Sequence, residues 1–290
     1  MNSGKGKKTL VVINDMSGNS EFVDVDLLKH VCAKNDIVDE IHIEFPEQEY
    51  ETEGYDKLIV CGGDGTMNNA INKCKNQEID IFYFPYGTLN ERANTTGTTE
   101  ESSARRLQCM GMVNKNLFSY VIASGAFTEI GYTAKSKLKK RIKWMAYILK
   151  VVSAYRVHHI KAEIVTDKVG VNGTFSLIMV IDSNRCFGFN FNKAYHRDNK
   201  IMHLLTIRST GKNNIIGKIR MFFPFFRTFF VGFKKEYHSK NIDFMEVKNV
   251  EINLDGKYDF CVDGEKREYE GFLHVEKLNI KPRLFIMQRR

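Results

Sequence analysis

Val60–Asn69 reads VCGGDGTMNN, the end of an apolar strand running straight into Gly-Gly-Asp-Gly-Thr. Glycine packs nothing and costs backbone entropy, so three in four positions point to a tight turn, a close approach to a ligand, or both. Lys57–Cys61 (KLIVC) before the glycines and the helical spacing of Met67–Cys74 after them make this a strand–turn–helix unit.

Neighbouring segments repeat the alternation. Thr9–Asn14 (TLVVIN), Ile41–Phe45 (IHIEF) and Ile79–Phe84 (IDIFYF) read as strands. Glu21–Lys34 carries Phe22, Val25, Leu28, Val31 and Cys32 at helical spacing. Short strands separated by helices predict βαβ units and a parallel sheet with helices on both faces. Ligands of such sheets bind beyond the carboxyl ends of the strands.

After Asn116 the pattern changes. Phe118–Ser124, Lys161–Thr166, Thr174–Ile181, Ile201–Ile207, Asn249–Leu254 and Asp259–Val262 are strand-like, with turn residues between most neighbours. A basic helix over Ala134–Arg156 and an aromatic segment around Gly217–Lys235 interrupt them. The expected fold is α/β: a three-layer doubly wound nucleotide-binding domain over residues 1–116, then an antiparallel β-sandwich-like substrate domain over 117–282. A final strand within 283–290 (RLFIMQ) is expected to return to the first domain.

The 290 residues suffice for one large domain or two ordinary ones, and 43% hydrophobic with 12% aromatic content fits a sizeable core. Cys32, Cys61, Cys74, Cys109, Cys186 and Cys261 form no CxxC pair, so buried free thiols are expected and a reducing cytosol fits. The amino terminus goes from a short basic lead into a strand, without the apolar core or cleavage site of an export signal. Met221–Phe233 (MFFPFFRTFFVGF) contains Pro224 and Arg227 and falls short of the about 20 residues that span a bilayer. Against 35 acids stand 43 basic residues, and the net charge of +8 admits nucleic acid, an anionic membrane or a phosphorylated small molecule.

Three polar loops follow three strands of the parallel sheet: Asn14–Ser20 (NDMSGNS), Gly62–Asn69 (GGDGTMNN) and Pro85–Ala93 (PYGTLNERA). Gly62, Gly63 and Gly65 allow the main chain to approach a phosphate, and the following helix N-terminus adds partial positive charge. Asp64 would be repelled by phosphates unless Mg²⁺ stands between them. The simpler reading is a tight turn with Asp64 as a helix cap. Neither GxxxxGK[ST] nor GxGxxG is present.

In order along the chain, NDMSG, GGDGTMNN, PYGTLNE and VDGE (Val262–Glu265) resemble the motifs of the diacylglycerol kinase-type lipid kinases, over nearly the whole length. NAD kinases share the GGDG loop more distantly. The resemblance implies an ATP- and Mg²⁺-dependent lipid kinase acting on a lipid hydroxyl, with diacylglycerol or a related glycerolipid as the leading acceptor. An NAD kinase-like enzyme and a catalytically silent nucleotide- or lipid-binding relative are the alternatives.

Carried over residue by residue, Asn14, Ser17, Gly18, Gly62, Gly63, Asp64, Gly65, Thr66, Asn68, Thr88 and Asn90 would line the ATP phosphates. Asp64 would hold the catalytic Mg²⁺ through water, and Asp198 a second, structural metal. Glu265, with Asp263 beside it, would take the proton from the lipid hydroxyl, as a hydroxyl nucleophile requires. Read alone, VDGE is more readily a charged β-turn between strands, and only its order after the other motifs reverses that preference. Asp15, Asn69, Leu89, Glu91 and Asn199 stand where the family has Pro, Glu, Gly, Asp and Gly.

Lys135–Lys150 (KSKLKKRIKWMAYILK) is a basic run with Trp144 and Tyr147, suited to anionic headgroups or to being a solvated helix face. Phe222, Phe223, Phe225, Phe226, Phe229, Phe230 and Phe233 could wall an acyl-chain site or fill the core. A cytoplasmic protein peripherally associated with an anionic membrane follows, with ATP and a lipid as partners and room for a homodimer. No helix-turn-helix, finger or RNA-binding signature accompanies the charge, so nucleic acid is not expected.

Overall fold

In the computed structural model, which describes residues 6–95, 104–126, 158–196, 200–209 and 215–287, the chain divides into two units. The first comprises Met1–Met110 with Asn279–Arg290, and the second Gly111–Leu278.

The first unit is built on β1 (Lys8–Asn14), β2 (Ile37–Ile43), β3 (Lys57–Gly62) and β4 (Asp80–Pro85), ordered β2-β1-β3-β4 and all parallel. β1 after Lys8 and the whole of β3 are buried, which is why both read as continuous apolar runs. At the edge, β2 is mostly exposed and begins four residues earlier than its apolar pattern predicts, at the partner of Lys8.

The helix expected over residues 21–34 is shorter. A 3₁₀ turn (Ser20–Phe22) precedes α1 (Val25–Cys32), whose start is fixed by Asp24 accepting the Leu27 N–H at 3.0 Å. α1 packs Leu28 and Cys32 against Val11, Ile13, Ile59 and Cys61. α2 (Asp64–Lys73) buries Met67, Ala70 and Ile71 and packs on β3 and β4. A five-residue helix, α3 (Glu91–Thr95), follows the β4 loop.

β5 (Ala104–Val113), not foreseen in the sequence, leads into β6 (Asn116–Phe118) and β7 (Val121–Gly125). The second unit continues with β8 (Ile160–Thr166), β9 (Gly170–Ile181), β10 (Met202–Arg208), helix α4 (Ile215–Phe226), a π-helical turn (Arg227–Val231), β11 (Tyr237–His238), β12 (Ile242–Val247), β13 (Asn249–Val262) and β14 (Glu265–Met287). Pairing runs β11-β12-β10-β9 and β13-β14, all antiparallel. Successive halves of β9 and of β13 pair with β8 and then β7, which joins the two sets.

Alternate residues of β9 and β10 serve different cores. Ile178, Val180, Met202 and Leu204 join Val250, Ile252, Leu273 and Val275 from the other end of the strand order, so the sheet curls over its own face. Leu177, Met179, Leu205 and Ile207 instead receive Met221 and Phe225 of α4. Two buried faces explain runs such as SLIMVI, with no polar alternation.

β14 is one 23-residue strand. Its last part belongs to the first unit, where Arg283–Ile286 pair in parallel with Asp80–Tyr83 of β4. All six cysteines are free and buried. No helix among the described residues is long and apolar enough to cross a membrane. The basic helix expected over 134–156 and Asp198 lie outside the described residues.

Candidate functional site

Parallel strands bring their carboxyl ends to one edge, so the loops after β1, β3 and β4 meet there. Asn14 Nδ2 donates to Thr66 Oγ1 at 2.8 Å, and Asn14 Oδ1 accepts the Met16 N–H at 3.0 Å. Asn19 Nδ2 donates to the Gly87 carbonyl at 2.9 Å, and the Gly62 carbonyl accepts the Tyr86 and Gly87 N–H groups at 2.8 and 3.0 Å. Asn90, at φ +47°, donates through Nδ2 to the carbonyls of Pro85 and Gly87.

Two glycine positions are set by this packing. A Cβ on Gly87 would lie 2.5 Å from the Gly63 Cα, and one on Gly62 would lie 2.5 Å from Thr66 Oγ1. The glycines therefore let loop touch loop, in addition to any approach to a phosphate. Likewise a Cβ on Gly18 would meet Thr88 Oγ1 at 2.5 Å.

Asp64, the first residue of α2, is 9% exposed. Its carboxylate accepts the N–H of Glu91 at 2.7 Å and of Arg92 at 3.0 Å, at the start of α3. The acid thus caps the next short helix, a charge-assisted contact between the second and third loops. Thr66 and Asn68 are buried on α2, and Asn68 Oδ1 accepts from Asn72 Nδ2 at 3.0 Å. Gly63 precedes α2 without a side-chain cap, so the first N–H groups of α2, from Asp64 and Gly65 onward, face the loops with the helix's partial positive charge.

Ser17 Oγ, Asn69 Oδ1 and Asn90 Oδ1 are buried with no hydrogen-bond partner among the described residues. Buried polar oxygens are normally satisfied, so these three are open to the polar groups of a ligand.

The departures from the family motifs find places here. Asp15 pairs with His42 of β2 (Oδ1 to Nδ1, 2.8 Å), and that carboxylate raises the His42 pKa. Leu89 is exposed, so its bulk points away from the loop packing. Glu91 and its neighbour Arg92 are buried.

VDGE forms the turn between β13 and β14, with Asp263 at φ +51° and Gly264 at φ +90°. Asp263 is buried, and its carboxylate accepts the backbone N–H of Ser119, Tyr120 (2.9 Å) and Val121 (3.1 Å). Burial pushes its carboxyl above the ordinary range, with those N–H groups pulling the other way. Glu265 differs: its side chain is 28% exposed, with Arg267 Nη2 3.7 Å away.

Within the first unit, the structure gathers Asn14, Ser17, Gly18, Gly62, Gly63, Asp64, Gly65, Thr66, Asn68, Thr88 and Asn90 in one set of loops. Asp263 and Glu265 share a turn of the second. Asn19 and Gly87 were missed as site builders, and so were the backbone N–H groups of Glu91 and Arg92. Gly87 alone left a signal, as a glycine between two strand-end polar residues. Among the described residues no three His, Cys, Asp or Glu side chains gather as a metal cluster.

Residues 8–116 match the diacylglycerol kinase catalytic domain family. A diacylglycerol kinase of Bacillus subtilis is 25% identical over 240 residues, covering 78% of this chain and 75% of its own. A diacylglycerol kinase of Staphylococcus carnosus is 32% identical over 112 residues, 34% of this chain and 36% of its own. A crystal structure of a diacylglycerol kinase from Bacillus anthracis superposes with a TM-score of 0.62 at 17% identity, covering 99% of this chain and 98% of that one. The chain is therefore similar to diacylglycerol kinases in sequence over residues 8–116 and in fold over nearly its whole length.

Proposed function

We propose that this protein transfers the γ-phosphoryl group of ATP to the hydroxyl of a glycerolipid, with diacylglycerol as the leading acceptor, at an anionic membrane surface. The observation that carries the reading is the meeting of three loops around the uncapped start of α2, with three orphaned oxygens among them. Such a place suits the triphosphate, which is bound by N–H groups and small side chains. The parallel β2-β1-β3-β4 order, with α1 and α2 packed on it, supports a doubly wound nucleotide domain. The self-covering antiparallel sheet supports a β-sandwich-like second domain.

Asp64 suits a hard cation in the manner usual for Mg²⁺, which takes one or two carboxylates plus substrate phosphates rather than a protein cage. Its two oxygens accept the N–H groups of Glu91 and Arg92, which holds the carboxylate at the meeting of the second and third loops. Bound there, Mg²⁺ would neutralise charge on the β- and γ-phosphate oxygens.

Glu265 is the base. Its half-buried carboxylate takes the proton of the acceptor hydroxyl as that oxygen bonds to the γ-phosphorus. The bond from the γ-phosphorus to the β–γ bridging oxygen breaks, and ADP leaves. Asp263 positions the Ser119–Val121 backbone and takes no proton.

The test is ATP turnover with Mg²⁺ against diacylglycerol, monoacylglycerol, phosphatidylglycerol, ceramide and NAD in detergent micelles. Diacylglycerol turnover that falls about a thousandfold in Glu265→Gln, with the melting temperature unchanged, is the expected result. NAD phosphorylation would make the protein an NAD kinase, and ATP binding without turnover would make it a silent relative.

A further inference from the structure

The aromatic segment has two faces. Met221, Phe225, Phe229 and Phe233 are buried in the second unit's core. Phe222, Phe223, Phe226 and Phe230 are exposed at 45%, 68%, 44% and 43%. Phe222 stacks on Phe226 (5.7 Å between centroids) and Phe226 on Phe230 (5.1 Å), while Phe223 meets Phe222 edge-on at 5.6 Å. The result is a solvent-facing ladder of rings one residue wide.

This ladder is rigidly mounted. The buried rings anchor α4 from below, and Arg227 lies over the rings of Phe233 and Tyr237 at 4.7 and 4.6 Å. Lys193 Nζ donates to the Val231 carbonyl at 2.7 Å, closing the end of the π-helical turn. Four exposed phenylalanines on a fixed element make an apolar patch that soluble surfaces seldom carry without a partner.

Charge selects the partner. Residues 215–235 contain five basic residues and no acid, and Arg220, Lys234 and Lys235 are exposed at the two ends of the ladder. Apolar rings flanked by cations complement an anionic bilayer, where rings enter the acyl boundary and cations meet headgroups. α4 is too short to span, so the contact is interfacial.

We infer that the Phe222–Phe223–Phe226–Phe230 face docks this protein on anionic bilayers by shallow insertion. The inference deepens the lipid-acceptor reading and rests on it for choosing a bilayer as the partner.

The experiment is cosedimentation with phosphatidylcholine vesicles, with and without phosphatidylglycerol. The variants are Phe223→Ser and the triple Phe222→Ser/Phe226→Ser/Phe230→Ser, each checked for melting temperature and MgATP binding. The wild type is expected to bind mixed vesicles, and the triple variant to bind at least about tenfold more weakly. Phe223→Ser, at the most exposed ring, is expected to lose several-fold even if the triple variant fails to fold. Unchanged vesicle binding by Phe223→Ser would overturn the inference. So would sedimentation velocity showing a wild-type dimer, lost in the variant, without vesicle binding.

Wild-type turnover of a dispersed short-chain diacylglycerol, measured without vesicles, separates the two readings. Phenylalanine-dependent vesicle binding without such turnover supports the docking face while removing the kinase. Turnover without phenylalanine-dependent binding overturns the face alone.

Discussion

Asp64 and Asp263 look alike in the sequence: each sits beside glycine in a short motif, and each is read as part of the chemistry. In the fold both are buried and both accept backbone N–H groups. Their surroundings separate them. Asp64 joins loops that also hold orphaned oxygens at Ser17 and Asn90, so its neighbourhood has capacity for a ligand. Asp263 is taken up by three successive N–H groups of Ser119–Val121, and the more accessible acid of its turn is Glu265, 28% exposed. A motif carboxylate can therefore serve as a fold staple, as Asp263 does for the Ser119–Val121 backbone.

The contrast breaks most readily at Asp263. Asp263→Ala strands three buried N–H groups, and chemical denaturation is expected to show a loss of about 3 kcal/mol or more. Asp263→Asn keeps one acceptor and is expected to lose about half as much. A stable Asp263→Ala protein with abolished turnover would make Asp263 a catalytic acid after all.

On the other side, Gly87→Ala pushes a Cβ against Gly63 Cα and is expected to cost about 1–3 kcal/mol, read as a lower melting temperature, together with weaker MgATP binding. An unchanged melting temperature would show that the loops do not touch there.

The smallest effect concerns the Asp15–His42 pair at the rim. His42 has a raised pKa in the fold because of Asp15, so its stabilising contribution is full below the ordinary histidine pKa and is lost as pH rises through the folded value. Both side chains are about half exposed, and the loss is expected to stay under about 0.5 kcal/mol. His42→Gln should flatten that slope in pH-dependent melting, and an unchanged slope would assign it elsewhere.

Much of the first unit was legible because its signals are local: β1, β3 and β4 are short apolar runs, and each loop announces itself with glycine and amides. The 23-residue β14 was not, because its first half is charged and half-exposed and carries no apolar run. β5 and β12 were missed for a related reason, since ARRLQCMGMV and IDFMEV mix polar residues into their strands. α4 was left open between core and acyl-chain wall because its phenylalanines occupy both faces, and only packing separates them.

Partners distant in sequence were also out of reach. Asp64 caps residues 27 and 28 positions away, and Asp263 reaches 142 to 144 positions back. Neither spacing leaves a trace in the motifs. The order of GGDGT, PYGTLNE and VDGE conveyed the resemblance, whereas the different burial of Asp263 and Glu265 emerged only from the fold.

Calorimetric titration of MgATP into the wild type and Ser17→Ala tests the central claim most directly. Ser17 Oγ has no partner among the described residues, so its removal is expected to leave the melting temperature unchanged or slightly raised. If that hydroxyl meets a phosphate oxygen, affinity for MgATP falls about tenfold, as loss of a hydrogen bond to a charged group requires. Equal affinity in the two proteins would contradict the assignment of these loops as the nucleotide site.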